Sequence, residues 1–213
     1  MIKFISFDMD GTLVDSEFTD WVWSYGVPTL YAEKYKLSFG DAKAYVEREY
    51  HKVGDGAAEW YDIKYWLRFF QLETNWEVLL RQFADKIRVY PDVDHLLDRL
   101  RERSPLVLTS NAGREFIEVE MEATGLHRYF DHIFSATSDF REVKKTPRVY
   151  RRILQNLRVE PEELVHVGDH YEFDHLVPRA LGIHAFYLDR SAREQGNFIL
   201  RDLGELEKRI PVP

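Results

Sequence analysis

Two aspartates near the start of the chain, Asp8 and Asp10, have the spacing of a small catalytic or metal-binding group. They follow an apolar run at residues 2–7 that is typical of a buried parallel strand. Open α/β sheets bind their ligands where such strands end. Two carboxylates so close to an apolar strand are costly to bury unless a divalent cation pairs with them, or unless phosphate chemistry keeps one of them protonated. The pair predicts one of these two arrangements.

Three other interpretations of acidic or histidine-containing stretches compete with this one. Asp-x-Asp-Gly is common in surface turns, and this stretch alone does not exclude a turn. An EF-hand calcium loop that starts at Asp8 needs glycine and glutamate at its sixth and twelfth places, where Leu13 and Thr19 stand. His166 and His170 have a zinc-like spacing, but His166 lies in a strand pattern, so we predict core or surface histidines instead.

A second polar stretch, Thr109-Ser110-Asn111, comes directly after the short apolar run at residues 106–108. Hydroxyl and amide groups at the carboxyl end of a strand can donate hydrogen bonds to a phosphoryl oxygen. The spacing does not decide whether Thr109 or Ser110 makes this contact.

A third stretch repeats the pattern of an apolar run that ends in an acid. Gly168-Asp169 follows the predicted strand at residues 164–167, and Asp174 comes five residues later. A further polar site, Lys144-Lys145-Thr146-Pro147, stands before a predicted helix.

Taken in their order along the chain, these four stretches resemble the four motifs of the haloacid dehalogenase-like (HAD) superfamily. Residues 7–13 read FDMDGTL and resemble the first motif in its phosphatase form, D-x-D-G-T. The second motif is an apolar strand that ends in Ser or Thr, and the fourth is G-D-x-x-x-x-D. The third is a lysine before a proline-rich helix start. Counting back from Pro147 and Tyr150 places Lys144 at the family lysine, and Lys145, which replaces the usual first proline, could substitute for it.

The resemblance implies a magnesium-dependent phosphatase that works through an aspartyl-phosphate. Asp8 would attack phosphorus, and Asp10 would be the general acid and base. Ser110, favoured over Thr109 by the asparagine that follows it, and Lys144 would stabilise the phosphoryl oxygens. The implied ligands of Mg²⁺ are Asp8, Asp10 and Asp169, supported by Gly168 and Asp174. The residues implied around the phosphate are Met9, Gly11, Thr12, Thr109 and Asn111.

The alternation of strands and helices after residue 91 predicts an α/β fold, a doubly wound parallel sheet of the Rossmann-like HAD type. Residues 16–87 have helical, aromatic-rich patterns and are predicted to form an inserted all-helical cap subdomain. The catalytic core would then consist of residues 1–15 and 88–213.

The composition narrows the class of partner. The chain has 213 residues, no cysteine, a formal net charge of -8 and an isoelectric point of about 5.5. No basic surface for nucleic acid is expected, and neither a signal peptide nor a membrane span is predicted. We expect a cytoplasmic enzyme, a monomer or a dimer, that acts on a small phosphorylated metabolite.

Three alternatives remain open from the sequence. A phosphomutase or a 2-haloacid dehalogenase would use the same aspartate nucleophile. Halide needs no protonation, however, so a dehalogenase would leave Asp10 and Thr12 without an explanation. A non-enzymatic phosphate-binding regulator would not need both Asp8 and Asp10.

Overall fold

The computed structural model describes residues 1–210, and its centre is a six-stranded sheet in which all pairs of neighbouring strands are parallel. The strand order is β3-β2-β1-β4-β5-β6. The strands are β1 (Phe4–Phe7), β2 (Leu106–Ser110), β3 (Phe130–Ser135), β4 (Leu164–Gly168), β5 (His184–Leu188) and β6 (Ile199–Leu200). The predicted α/β class and parallel, doubly wound sheet are confirmed.

Helices cover both faces of this sheet. Their bounds are α1 (Glu17–Trp21), α2 (Val27–Tyr35), α3 (Phe39–Val53), α4 (Ile63–Phe69), α5 (Trp76–Arg81), α6 (Val93–Arg101), α7 (Arg114–Thr124), α8 (Ala136–Phe140), α9 (Pro147–Leu157), α10 (Val177–Ala180) and α11 (Leu206–Arg209). Helices α6 and α7 pack with Ile5 and Phe7 on one face, and α9 packs with Phe4 and Val107 on the other. Side chains alternate across a strand, so each strand contributes to both layers. None of the helices within residues 1–210 is long and apolar enough to span a membrane.

The order of the strands reverses at β1, which pairs with β2 on one side and β4 on the other. The register sets Phe7 beside Leu108 and Val167, so the residues that follow these three strands meet at one edge. Ligands bind at such a switch point because the crossover connections leave a crevice there.

Residues 8–105, all of which the structure describes, contain no strand, and α1–α5 lie within them. The main-chain N–H of Asp15 donates to the carbonyl of Arg88 at 3.0 Å, and Val14 pairs with Val89. The chain thus enters and leaves the helical segment at adjacent points. The bounds of the insert at residues 16–87 and its role as a cap stay predictions.

The helical insert and the sheet share one continuous hydrophobic cluster. Phe18, Trp23 and Trp66 of the insert belong to or pack on the cluster that contains Phe7 and Phe116. The Trp23 ring stacks on that of Phe116 with centroids 5.3 Å apart, and the Phe18 ring meets Phe116 edge-on at 5.8 Å. Because these aromatic side chains bury area across the boundary, neither part is packed independently of the other.

This shared cluster predicts that insert and sheet unfold together in urea. All five tryptophans lie in the insert, at positions 21, 23, 60, 66 and 76, so tryptophan fluorescence reports on the insert and on its boundary with the core. Far-UV circular dichroism reports on the whole chain. We expect the two signals to have the same midpoint and the same m-value. A fluorescence transition at clearly lower urea would show instead that the insert unfolds as a separate unit.

Candidate active site

The predicted catalytic stretches meet where β1, β2 and β4 end. Asp8 comes directly after β1, and its main-chain N–H donates to the carbonyl of Val167 in β4 at 2.9 Å. Ser110 is the last residue of β2, and Asp169 comes directly after β4. Three stretches that are more than fifty residues apart in sequence are therefore side by side.

Carboxylate oxygens of Asp8, Asp169 and Asp174 lie within 4.8 Å of one another. Two glycines make this close approach possible. A Cβ on Gly11 would lie 2.1 Å from Oδ2 of Asp169, and Gly11 has a φ of +75°, which disfavours other residues. A Cβ on Gly168 would lie 2.3 Å from Cγ of Asp174. Oxygen ligands at this spacing fit a hard divalent cation such as Mg²⁺.

Lys145, and not Lys144, contacts these acids. Its Nζ lies 2.5 Å from Oδ1 of Asp8 and 2.5 Å from Oδ1 of Asp174, and it donates to the carbonyl of Thr109 at 3.3 Å. The side chain is completely buried. A buried ammonium group is tolerated because carboxylates surround it.

The prediction that Lys144 is the lysine of the site is corrected by this geometry. The Nζ of Lys144 pairs with Oδ2 of Asp55 in the insert at 2.9 Å and lies over the ring of Phe173. The N–H of Thr146 donates to the carbonyl of Lys144 at 2.7 Å, which closes a three-residue turn centred on Lys145. Consecutive side chains leave such a turn in different directions, so only one of the two lysines reaches the site.

A buried hydrogen-bond chain continues behind Lys145. Nε2 of His166 lies 2.9 Å from Oδ1 of Asp174, and its Nδ1 lies 2.9 Å from Oγ of Ser6. Burial lowers the pKa of His166, so the ring is neutral, with Nε2–H donating to Asp174 and Nδ1 accepting from Ser6. His166 is therefore a core histidine, one of the two alternatives, core or surface, that the sequence left open.

The acids of the site have strongly altered proton affinities. Burial raises the pKa of Asp8 well above its usual range, although the Lys145 ammonium opposes this. Burial likewise raises the pKa of Asp10 to about 6 and, less strongly, that of Asp169. Burial also opposes ionisation of Asp174, but Lys145 and the hydrogen bond from His166 outweigh it and hold its pKa below the usual range. Ionising all of these acids together would therefore leave an excess of negative charge, which a bound cation would relieve.

Thr109 and Ser110 face opposite sides of β2. Oγ1 of Thr109 is 2.9 Å from Oγ of Ser6, so this hydroxyl already has a partner within the sheet. Oγ of Ser110 accepts from the N–H of Ala112 at 3.0 Å and keeps its own proton available. Ser110 is therefore the better placed of the two to donate to a phosphoryl oxygen.

The other predicted phosphate-binding residues differ in what they offer. Oγ1 of Thr12 and Oδ1 of Asn111 are buried and have no hydrogen-bond partner in the described part of the chain. The side chain of Met9 is fully buried in the hydrophobic cluster. Met9 and Gly11 can therefore contribute only main-chain groups to a ligand.

Two residues near the site were missed by the sequence analysis. Arg190 donates to the carbonyl of Thr12 at 2.7 Å and forms a bidentate pair with Asp92 at 3.0 and 3.1 Å. It thereby holds the loop that follows Asp10. Glu120 of α7 is completely buried, and this burial, together with the nearby Asp10 carboxyl, raises its pKa well above the usual range. Its place on the buried stripe of α7, four residues after Phe116, was the only signal in the sequence.

The acids open onto a cleft of about 750 Å³ between the start of the insert and the loop after β5. Asp10 and Asp169 are among the residues that line it. Its walls include the aromatic residues Trp21, Tyr90 and Tyr187. The cleft gives a small molecule access to the carboxyl of Asp10.

A family model for haloacid dehalogenase-like hydrolases matches residues 2–182 of this chain. The chain belongs to that family. The match includes the ends of β1, β2 and β4, where the candidate site lies. It confirms the predicted family and the prediction of a hydrolase.

Two curated relatives, a nucleotidase and a phosphatase, are named for the hydrolysis of phosphate monoesters. The GMP/IMP nucleotidase YrfG of Escherichia coli is 26% identical over 163 residues, which are 76% of this chain and 72% of that protein. The phosphoglycolate phosphatase of Chromobacterium violaceum is 30% identical over 181 residues, which are 79% of this chain and 77% of that protein. These relatives support phosphoric monoester hydrolysis as the class of reaction.

Solved structures show the same fold. A HAD phosphatase from Thermococcus onnurineus superposes with a TM-score of 0.82 and 27% identity over 97% of both chains. The L-2-haloacid dehalogenase from Xanthobacter autotrophicus superposes with a TM-score of 0.62 and 20% identity over 98% of both chains. Because its identity is only 20%, the similarity to this dehalogenase supports the fold of the chain and says nothing about its activity.

Replacing each of the two lysines by methionine tests which of them belongs to the site. Lys145→Met leaves Asp8 and Asp174 without their buried partner, so we expect a loss of about 3–5 kcal/mol in the free energy of unfolding and no measurable turnover. Lys144→Met removes only the exposed pair with Asp55 and should change stability little. Urea unfolding and phosphate release measure the two effects. Greater damage from Lys144→Met than from Lys145→Met would contradict the placement.

Asp169→Asn tests the cation site by thermal unfolding, without any assay of activity. In EDTA this variant should be more stable than the wild type, because it removes one of several crowded negative charges. Added MgCl₂ should raise the melting temperature of the wild type but not that of the variant. Asp20→Asn, which alters an acid of the same cleft outside the cluster, serves as the control and should keep the Mg²⁺ response. An unchanged response in Asp169→Asn would remove Asp169 from the ligand set.

Proposed function

We propose that this protein is a Mg²⁺-dependent phosphatase that hydrolyses a small phosphate monoester through an aspartyl-phosphate on Asp8. The observation that carries the proposal is the convergence of Asp8, Lys145 and Asp169 at the switch point of the sheet. A carboxylate nucleophile, an ammonium group and a cluster of oxygen ligands are the parts that phosphoryl transfer requires.

The residues present fit a magnesium ion. The carboxylates of Asp8 and Asp169 would hold it together with the main-chain carbonyl of Asp10, and Asp174 lies beside them. When bound, the ion neutralises charge on the phosphoryl group and on the carboxylates. This complements the excess of negative charge, which a single buried lysine does not balance.

Each side chain then has a distinct task in the reaction. Asp8 attacks phosphorus and becomes phosphorylated. Asp10 donates its proton to the departing oxygen and afterwards takes a proton from the attacking water. Lys145 keeps Asp8 oriented and, with the Ser110 hydroxyl, stabilises the oxygens of the transferring group. A pKa near 6 suits Asp10 to both proton transfers near neutral pH.

The helical insert is proposed to act as a cap over this site. Ion pairs connect it to the core on α7 and before α9: Lys64 with Glu115, Arg81 with Glu122 at 2.6 Å, and Lys144 with Asp55 at 2.9 Å. Closed in this way, the insert excludes bulk water from the reacting groups and limits the size of the leaving group. A small phosphorylated metabolite is the proposed substrate, and nucleoside monophosphates and phosphoglycolate are the first to test because relatives act on them by name.

A 2-haloacid dehalogenase is the alternative from another reaction class. Asp10, with its raised pKa, favours the phosphatase over the dehalogenase. An alkoxide leaving group needs a proton from a general acid, whereas a halide leaves without one. Release of phosphate from phosphate monoesters, with no release of chloride from 2-chloropropionate, is the expected result. The opposite result would replace the proposed function. Transfer of the phosphoryl group to a sugar hydroxyl instead of water would indicate a phosphomutase.

The roles of the two aspartates can be separated by mutation. Asp8→Asn should abolish turnover of every ester because an amide cannot replace the nucleophile. Asp10→Asn should lose roughly 10²–10⁴ in rate on an alkyl ester, the usual contribution of general acid catalysis. On p-nitrophenyl phosphate the first step should be much less affected, since nitrophenolate leaves without protonation.

The Asp10→Asn variant should also accumulate the phosphoryl adduct on Asp8 when p-nitrophenyl phosphate is the substrate, because the attacking water has lost its base. Single-turnover mass spectrometry detects this adduct as added mass on a peptide that contains Asp8. Equal losses on both classes of ester, with no trapped adduct, would refute the acid–base role of Asp10.

A further inference from the structure

Arg190 lines the cleft directly after β5, and the reaction described above gives it no task. Its Nη2 donates to the main-chain carbonyl of Thr12 at 2.7 Å and to Oδ1 of Asp92 at 3.1 Å, and its Nη1 donates to Oδ2 of Asp92 at 3.0 Å. The guanidinium group also lies over the ring of Tyr90, 3.7 Å from its centroid. One side chain thus joins the loop after β1, the segment before α6 and the loop after β5.

The guanidinium group is held from both sides. At its base, the carboxylate of the preceding residue, Asp189, accepts from the main-chain N–H of Glu194 at 2.7 Å, which closes the loop after β5. At its partner, Oδ2 of Asp92 also accepts from the main-chain N–H of Leu203 at 2.8 Å, and Leu203 is fully buried. A planar guanidinium group bound by both oxygens of a fixed carboxylate has little freedom to turn. Arg190 is therefore a rigid support for the Thr12 carbonyl.

The loop that Arg190 holds, at residues 9–14, is closed by its own main chain. The N–H of Gly11 donates to the carbonyl of Val14 at 2.7 Å, and the carbonyl of Met9 accepts from three N–H groups at 2.8–3.2 Å, those of Thr12, Leu13 and Val14. Oδ1 of Asp10 is buried and has no hydrogen-bond partner among residues 1–210. The direction of this carboxyl group therefore depends on where the loop holds its main chain.

We propose that Arg190 is a positioning residue for Asp10. By binding the Thr12 carbonyl it fixes the closed loop at residues 9–14, and it thereby keeps the Asp10 carboxyl turned towards the leaving group in the cleft. The inference rests on the proposed function, in which Asp10 is the general acid.

The nucleophile does not depend on this contact. The main-chain N–H of Asp8 donates to the carbonyl of Val167 in β4 at 2.9 Å, and its carboxylate pairs with Lys145 at 2.5 Å. Loss of Arg190 should therefore weaken proton donation to the leaving group while attack on phosphorus continues. The two effects can be told apart because an alkoxide needs a proton in order to leave, whereas nitrophenolate does not.

Two variants of Arg190 test the role. Arg190→Met keeps an unbranched stem and loses every hydrogen bond, and Arg190→Lys keeps the charge but cannot reproduce the planar fork. Both are assayed at saturating MgCl₂ on phosphoglycolate, guanosine 5′-monophosphate and p-nitrophenyl phosphate. We expect Arg190→Met to lower kcat on the two alkyl esters about 10- to 100-fold and on p-nitrophenyl phosphate less than about threefold. Arg190→Lys should lie between Arg190→Met and the wild type.

Arg128 offers a matched control outside the cleft. Its Nη2 donates to Oδ1 of Asp94 at 3.1 Å, and its guanidinium group lies over the ring of Tyr129, 4.5 Å from the centroid. Arg128→Met therefore removes a similar set of contacts and should change kcat on neither class of ester. Wild-type kcat of Arg190→Met on the alkyl esters, or equal losses on alkyl and aryl esters, would overturn the inference. If Arg190→Met does not fold, Arg190→Lys decides by the same comparison.

Crystal structures of the wild type and of Arg190→Met decide the question independently of turnover. In the variant we expect a displaced Thr12 carbonyl and a rotated Asp10 carboxyl, with Asp8 and Lys145 unmoved. An unmoved Asp10 side chain would refute the positioning role. If the wild type hydrolysed none of the three esters, the proposed function would fail, while the position of Asp10 in the two structures would still test what Arg190 holds in place.

Discussion

The burial of one ammonium group between two carboxylates is the interaction on which this site depends. Lys145 has no access to water and is held at 2.5 Å by both Asp8 and Asp174. Removing Lys145 would leave two buried carboxylates without compensation. The chain continues through His166 to Ser6 and Thr109, so polar side chains from β1, β2 and β4 are joined behind the reacting edge. The same contacts thus hold the strand ends together and orient the nucleophile.

That network leaves the front of the site negatively charged. Burial and mutual repulsion raise the proton affinity of Asp8, Asp10 and Asp169, and one lysine does not neutralise them. Such a site is poor at attracting an anion on its own but is well suited to a divalent cation. A chain with a net charge of -8 can therefore carry out phosphate chemistry, provided that a divalent cation is bound at the site.

The insert is less separate from the sheet than its place in the sequence suggested. Its aromatic side chains complete the hydrophobic layer on one face of the sheet, and exposed ion pairs connect it to the core. Exposed pairs contribute little to stability, whereas the buried aromatic area contributes much.

The sequence by itself determined the parallel α/β fold, the family and the positions of Asp8, Asp10 and Asp169, because each of these acids lies in a contiguous motif at the end of an apolar strand. Only the tertiary structure decided between Lys144 and Lys145, because the direction of a side chain in a tight turn is not encoded by spacing from a proline. For Ser110, which the following asparagine already favoured, the structure added the physical reason: the Thr109 hydroxyl pairs with Ser6 across the sheet. Glu120 and Arg190 lie outside every motif, and only the folded chain brings them near Asp10 and Thr12.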